Sequence, residues 1–243
     1  MKLVSTLSRA IMHEIKTLRG AFYRRVYISN EDERAIVDQF HRLYFDARAF
    51  NMTWRNTYWM GHQLLKCPLD LWIYQELISE LRPAVIIETG TAFGGSALYL
   101  ASICDIVGQG TIVTVDVEHR NERPEHPRIT YLTGSSTSDE VFERVLAEVE
   151  GREGPILVIL DSDHRKTHVL AELHRYGPIV SRNSYLIVED TNLNGHPIDP
   201  DFGPGPAEAI EEYLTGDPGF TVDRSKEKHY LSFNPGGYLK KTR

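Results

Sequence analysis

Cysteine is scarce: Cys67 and Cys104 are the only two in 243 residues, and they stand apart. They form neither a CxxC pair nor a disulfide framework, which points to a reducing, cytoplasmic setting. Long apolar runs are missing too, so no transmembrane span and no secretory h-region is read, and no stable membrane insertion is expected. Positive charge is in deficit, with 27 Lys and Arg against 34 Asp and Glu, a formal net charge of -7 and a pI near 5.8. That balance argues against a general nucleic-acid binder, and a ligand must be held by a local site. Internal repeats, low-complexity tracts and an interdomain linker are also lacking. What is present, 41% hydrophobic and 25% charged residues, suffices for one sizeable α/β core with additions.

The first 25 residues run against the acidic trend. Lys2, Arg9, Lys16, Arg19, Arg24 and Arg25 face one acid, Glu14, while Leu3, Leu7, Ile11, Ile15 and Leu18 recur at helical spacing. This reads as a helix that caps the fold or joins copies into a homo-oligomer, with a membrane-surface or partner helix as the alternative. Asn30 and Glu33 form a candidate capping box for a second helix, on which Ile36, Val37, Phe40, Leu43 and Tyr44 mark one face to about residue 48. Trp54, Tyr58, Trp59, Gly61 and His62 suit a loop or short helix over a pocket, or plain core packing. Residues 1–67 are therefore read as a helical cap and oligomerisation extension, and 68–243 as the core.

Pro68 can open a helix through Leu71, Trp72, Leu77, Ile78 and Leu81 that stops before Pro83. Strands are expected at 84–88, 111–116, 129–133, 155–160 and 184–189. Helices fall between or after them at 95–105, 137–149 (capped by Ser136 or Thr137), 165–176 and 207–214. A hairpin of 219–223 with 229–233 completes seven strands. Such alternation implies right-handed crossovers and a mostly parallel sheet covered by helices on both faces, a Rossmann-like α/β fold.

The stretch Glu88-Thr89-Gly90-Thr91-Ala92-Phe93-Gly94-Gly95-Ser96 reads as a strand end, a glycine turn and a helix start. Glycine lets a ligand approach the backbone, and the helix N-terminus favours negative charge. A dinucleotide turn, G-x-G-x-x-G, needs a second glycine where Ala92 stands. The looser Glu-x-Gly-x-x-x-Gly-Gly suits S-adenosylmethionine (SAM), with the acid facing the methionyl ammonium. Asp116, ending the second strand, can accept both ribose hydroxyls, and Gly134-Ser135-Ser136 after the third can meet adenine. NAD(P) redox chemistry stays as the competing reading.

Strand four closes on Asp161-Ser162-Asp163-His164 and strand five on Glu189-Asp190. Adjacent strand ends bring Asp161, Glu189 and Asp190 together, which is costly unless a cation neutralises them. Oxygen donors without cysteine suit Mg²⁺ or another hard ion, against the alternative of helix caps and surface acids. His164 is either a general base at this site or a solvated loop residue. His168 and His174 read as bland, and the Gly/Pro-rich loop 192–206, with Asn194, His196 and Asp199, as a substrate lid or a long surface connection.

Tyr58-Trp59-Met60-Gly61, Cys67-Pro68-Leu69-Asp70-Leu71, Tyr74-Gln75-Glu76-Leu77-Ile78, Arg82-Pro83, Glu88-Thr89-Gly90-Thr91, Gly94-Gly95-Ser96, Asp161 with Glu189-Asp190, Gly203-Pro204-Gly205-Pro206 and Gly236 with Tyr238-Leu239 resemble the cephalosporin hydroxylase and rhamnosyl O-methyltransferase family over roughly 54–240. The resemblance implies a class I methyltransferase fold, SAM and Mg²⁺ as cofactors, and small hydroxylated acceptors such as sugars and secondary metabolites. It maps Asp161, Glu189 and Asp190 onto the metal ligands and His164, beside Asp161, onto the catalytic base. Glu88, Thr89, Gly90, Thr91, Ser96, Asp116, Gly134, Ser135 and Ser136 form the expected cofactor site. A SAM-binding accessory subunit of a tailoring system, without catalysis of its own, is the remaining alternative.

Overall fold

The computed structural model describes residues 14–19 and 29–243. Residues 14–19 are helical and exposed, while the rest of the expected basic helix, with Lys2, Arg9, Arg24 and Arg25, lies outside the described residues. Helix α1 (Asn30–Phe45) opens with three acids in its first turn, which complement the helix dipole. Its capping box is set one residue earlier than expected. Ser29 Oγ accepts from Asp32 N at 3.0 Å and Asp32 Oδ2 accepts from Ser29 N at 3.3 Å.

The chain divides into two compact units, Met1–His41 and Arg42–Arg243. Residues 42–67 share the second unit with residues 68–243, for a packing reason. A short antiparallel pair, β1 (Tyr58–Trp59) with β2 (His62–Gln63), lies on the core: Trp59 meets Tyr99 edge-on at 4.9 Å and donates to Ser102 Oγ at 3.1 Å. Tyr44, Phe45 and Trp54 join Cys67 and Phe233 in a satellite apolar cluster.

Pro68 does open α2 (Pro68–Leu81), followed by β3 (Val85–Thr89), α3 (Gly95–Val107), β4 (Thr111–Asp116), β5 (Ile129–Thr133), α4 (Asp139–Val149), β6 (Ile156–Leu160), α5 (Lys166–Tyr176), β7 (Tyr185–Val188), α6 (Pro206–Thr215), β8 (Phe220–Val222) and β9 (Tyr238–Lys241). The sheet order is β5-β4-β3-β6-β7-β9-β8. The first five of these strands pair in parallel, and β9 runs antiparallel to both β7 and β8. This is the expected Rossmann-like, mostly parallel seven-stranded sheet. Period-two alternation divides the apolar residues between its faces. Val85, Ile87, Val113 and Val158 pack with Val141, Leu173 and Tyr213, whereas Ile86, Ile112 and Ile159 pack with Leu77, Leu100 and Cys104. A one-residue slip would exchange the two faces, so burial pins the register.

Two local expectations are corrected. The cap of α4 is Ser138, whose Oγ accepts from Val141 N at 3.3 Å, rather than Ser136 or Thr137. The last strand is Tyr238–Lys241 rather than 229–233. The alternating run Tyr230-Leu231-Ser232-Phe233 reads as a strand, but its polar groups are drawn to Asp70. Ser232 Oγ donates to Asp70 Oδ1 at 2.6 Å and Phe233 N to Oδ2 at 2.8 Å. Strand pairing begins only after Gly237, where a Cβ would lie 2.2 Å from Val188 O.

Candidate active site

The chain leaves β3 toward β4 and β5 on one side and returns to β6 and β7 on the other. Crevices open past the carboxyl ends of strands at such a reversal. A cavity of about 760 Å³ lies there, bounded by Gly90, Asp116, Gly134 and Ser136 and, opposite, by Asp161, His164 and Asp190. The expected cofactor turn and the acidic strand ends thus share one chamber. Gly90 explains their closeness. At φ 86° a Cβ would sit 1.7 Å from Asp161 O, so only glycine lets the β3 turn abut the end of β6.

The cofactor-side residues fall into two layers. Glu88, Thr89 and Thr91 are buried beneath the turn. Glu88 Oε2 accepts from Thr114 Oγ1 at 2.8 Å, Thr114 and Thr91 share a 2.7 Å hydroxyl contact, and Thr89 Oγ1 accepts from Asp161 N at 3.3 Å. Burial pushes the Glu88 carboxyl up, opposed by the charge of Lys66 and by Ser96 and Thr114. These three residues shape the turn from below. Ser96 lines a narrow crevice with Gln63, Leu65, Lys66, Thr91 and Asp161.

Asp116 reaches the chamber but is already engaged. Its Oδ2 accepts from Ala92 N at 2.8 Å and lies 3.1 Å from Arg123, while Oδ1 accepts from Glu118 N at 2.9 Å. A carboxylate has about four lone-pair sites, so capacity for ribose hydroxyls remains. Gly134 and Ser136 line the cavity, and the Ser135 hydroxyl contacts Thr137 at 3.0 Å. His168, read as bland, in fact joins two loops. Its Nε2 lies 3.2 Å from Ser136 Oγ and 3.1 Å from Ser162 Oγ, and buried Glu172 raises its pKa.

On the acidic side, one ligand atom each from Asp161, His164 and Asp190 lie within 4.8 Å of one another. His164 Nε2 is 3.2 Å from Asp190 Oδ2. Burial pushes the carboxyls of both Asp161 and Asp190 up, with Lys66 and His164 respectively offsetting it. Two carboxylates and an imidazole this close offer oxygen and nitrogen donors to a divalent cation. Glu189 points elsewhere: its Oε1 takes Lys66 Nζ at 2.7 Å and the Tyr74 hydroxyl. Lys66 also pairs with Asp161 Oδ2 at 2.6 Å. Sequence reasoning passed over this lysine. Its signal was a lone charge between Leu64-Leu65 and the Cys67-Pro68 helix start.

The family model "Rhamnosyl O-methyltransferase/CmcI" matches residues 51–242. A rhamnosyl O-methyltransferase of Mycobacterium leprae (strain TN) is 39% identical over 210 residues, covering 84% of this chain and 90% of that protein. One of Mycobacterium tuberculosis (strain ATCC 25618 / H37Rv) is 39% identical over 211 residues, covering 84% of each. Among solved structures, a CmcI apo-structure aligns with a TM-score of 0.60 at 22% identity, over 78% of this chain and 77% of that one. A CmcI Mg-SAM structure aligns at 0.60 and 20% identity, over 78% of each. The structural likeness shows the fold. With the sequence matches, it establishes that the chain belongs to the rhamnosyl O-methyltransferase/CmcI family and is an O-methyltransferase.

Proposed function

We propose that the protein transfers the methyl group of SAM to a hydroxyl of a sugar, a glycosylated compound or a polyol-like secondary metabolite, with Mg²⁺ or a similar divalent cation. The observation that carries this reading is the shared chamber: the Gly90 turn on one wall and Asp161, His164 and Asp190 on the other. The methionyl end of SAM would lie on Gly90–Ser96, the ribose at Asp116 and the adenine by Gly134-Ser135-Ser136. The curated relatives are named rhamnosyl O-methyltransferases. The methyltransferase MycE of the mycinamycin pathway, with a TM-score of 0.51 and 19% identity, was solved with Mg, SAH and mycinamycin VI. The relatives' names support an oxygen acceptor on a sugar, and MycE holds Mg, SAH and a small-molecule metabolite on the same fold.

Asp161 and Asp190 would hold the cation, while Glu189, committed to Lys66 and Tyr74, stands behind them. When bound, the ion supplies Lewis-acid polarisation of the acceptor oxygen. Asp190 orients His164, which takes the hydroxyl proton at the ring nitrogen not committed to that carboxylate. The chamber walls hold acceptor and sulfonium in line, so that positioning supplies much of the rate. Aromatic residues from three separate segments, Trp54, Phe202 and Phe233, close the acceptor end.

Among the described residues no helix is long and apolar enough to cross a membrane. A cytoplasmic, homo-oligomeric enzyme assembled through its N-terminal extension completes the proposal. The deciding test is methyl transfer from SAM, with Mg²⁺ and with EDTA, over sugars, nucleotide sugars and glycosylated metabolites. Transfer to none of them despite SAM binding would overturn the catalytic reading in favour of an accessory role.

A further inference from the structure

Lys66 is the least expected member of the site. Its side chain is 2% exposed, and its ammonium sits between Asp161 Oδ2 at 2.6 Å and Glu189 Oε1 at 2.7 Å. A buried lysine is rarely kept without opposite charge around it, and here two acids meet it directly while Glu88 acts on it from beneath the cofactor turn. The backbone around it is equally committed. A Cβ at Gly95 would lie 2.1 Å from Gln63 O, so the segment leading to Lys66 runs hard against the first turn of α3. From there the lysine reaches across to the ends of β6 and β7. Its position is fixed by packing as well as by charge.

Of the two acids that hold the ammonium, Asp161 belongs to the trio proposed for the metal, and Glu189 ties the lysine beside it. From this geometry we propose that Lys66 is the internal counter-ion of the acidic site, and that it competes with the divalent cation for Asp161. The inference rests on the metal-assisted reading above. In the metal-free protein Lys66 holds the carboxylates together, which would otherwise repel one another at adjacent strand ends. Once the cation enters, the same positive charge opposes it, because two cations sharing a carboxylate across a few ångströms in a partly desolvated site repel strongly. Lys66 is thus a positioning residue that sets metal affinity. A merely structural lysine has the opposite signature, since its loss would disorder the ligands and weaken metal binding.

The test is Mn²⁺ binding to the full chain, followed by the electron paramagnetic resonance of free Mn²⁺, for the wild type, Lys66→Met and Lys66→Arg. The expected result is tighter binding by Lys66→Met, by about tenfold or more, with Lys66→Arg near or weaker than wild type. Thermal midpoints should show a larger rise with Mn²⁺ for Lys66→Met than for wild type. Should Lys66→Met fail to fold alone, refolding it with Mn²⁺ serves instead: recovery supports the competition, and no recovery overturns it. Mn²⁺ binding that is unchanged or weaker in a folded Lys66→Met chain also overturns the inference while leaving the metal site standing. Absence of Mn²⁺ binding by the wild type sinks the metal reading itself.

Discussion

His164 Nε2 lies 3.2 Å from Asp190 Oδ2, and Asp190 is held there by a left-handed backbone at φ 57°. Non-glycine residues adopt that region at a cost, and it concentrates where a side chain must be aimed. Asp190 N donates to Asn234 Oδ1 at 3.1 Å, which helps hold the turn. The chain bends at the end of β7 and presents the carboxylate to the histidine on the loop after β6.

If that pair carries the proton, His164→Ala should lower the rate of methyl transfer about 100-fold to 10,000-fold, the range for loss of a general base. SAM affinity should be largely retained. The check is a pH-rate profile of the variant beside the wild type. A variant whose profile keeps the wild-type limbs would remove His164 from the proton path.

Asp161→Ala and metal chelation should converge. Asp161 belongs to the trio within 4.8 Å and also anchors Lys66, so its loss strips the site of both ties. The expected outcome is loss of Mg²⁺-dependent turnover with SAM binding kept, as calorimetry would record, and EDTA should reproduce it in the wild type. Methylation that survives both treatments contradicts a metal role.

Much of this site was legible beforehand because its parts lie at strand ends that the apolar pattern marks. Four branched or small apolar residues, Ala84 to Ile87, announce β3, and the glycine turn follows at once. Asp161 and Asp190 close equally apolar runs. Lys66 was illegible because a lysine in a connecting loop is usually solvated, and only the tertiary fold brings Glu189 to it. His168 reads as bland from its place on a helix, and only the fold turns that helix toward Ser136 from another crossover. Alternation at 230–233 imitates the strand that forms at 238–241, and the pull of Asp70 lies outside any local pattern.

Gly90→Ala tests the joint between the two halves of the chamber. Alanine at φ 86° is strained, and its Cβ would meet Asp161 O at 1.7 Å, which forces the β3 turn and the β6 end apart. A loss of at least ~2 kcal/mol in unfolding free energy is expected, together with loss of SAM binding. Urea denaturation and calorimetry measure the two. Wild-type values for both would mean the turn has room that the structure denies.

Glu208 offers the pH dependence. Burial alone would raise its pKa, but the Gly205 N–H, His196 and Asn194 bring it down to about 2. The Gly205 N–H donates at 2.7 Å, the His196 ring lies at 2.9 Å and Asn194 donates at 2.8 Å. The carboxylate therefore pins the loop before α6, whose Leu193, Asp199 and Phe202 line the chamber. Its folded pKa lies below the ordinary value, so its contribution is complete above about pH 4.5 and is lost as pH falls toward 2. The protection factors of the 192–206 amides, with the intrinsic pH dependence of exchange divided out, should fall over that window. In Glu208→Gln the same amides should exchange faster at neutral pH, with an opening about 1 kcal/mol easier and a raised KM for the acceptor. Equal exchange in variant and wild type at neutral pH would show that the loop is held by its backbone contacts alone, such as Lys166 N to Pro204 O at 3.0 Å.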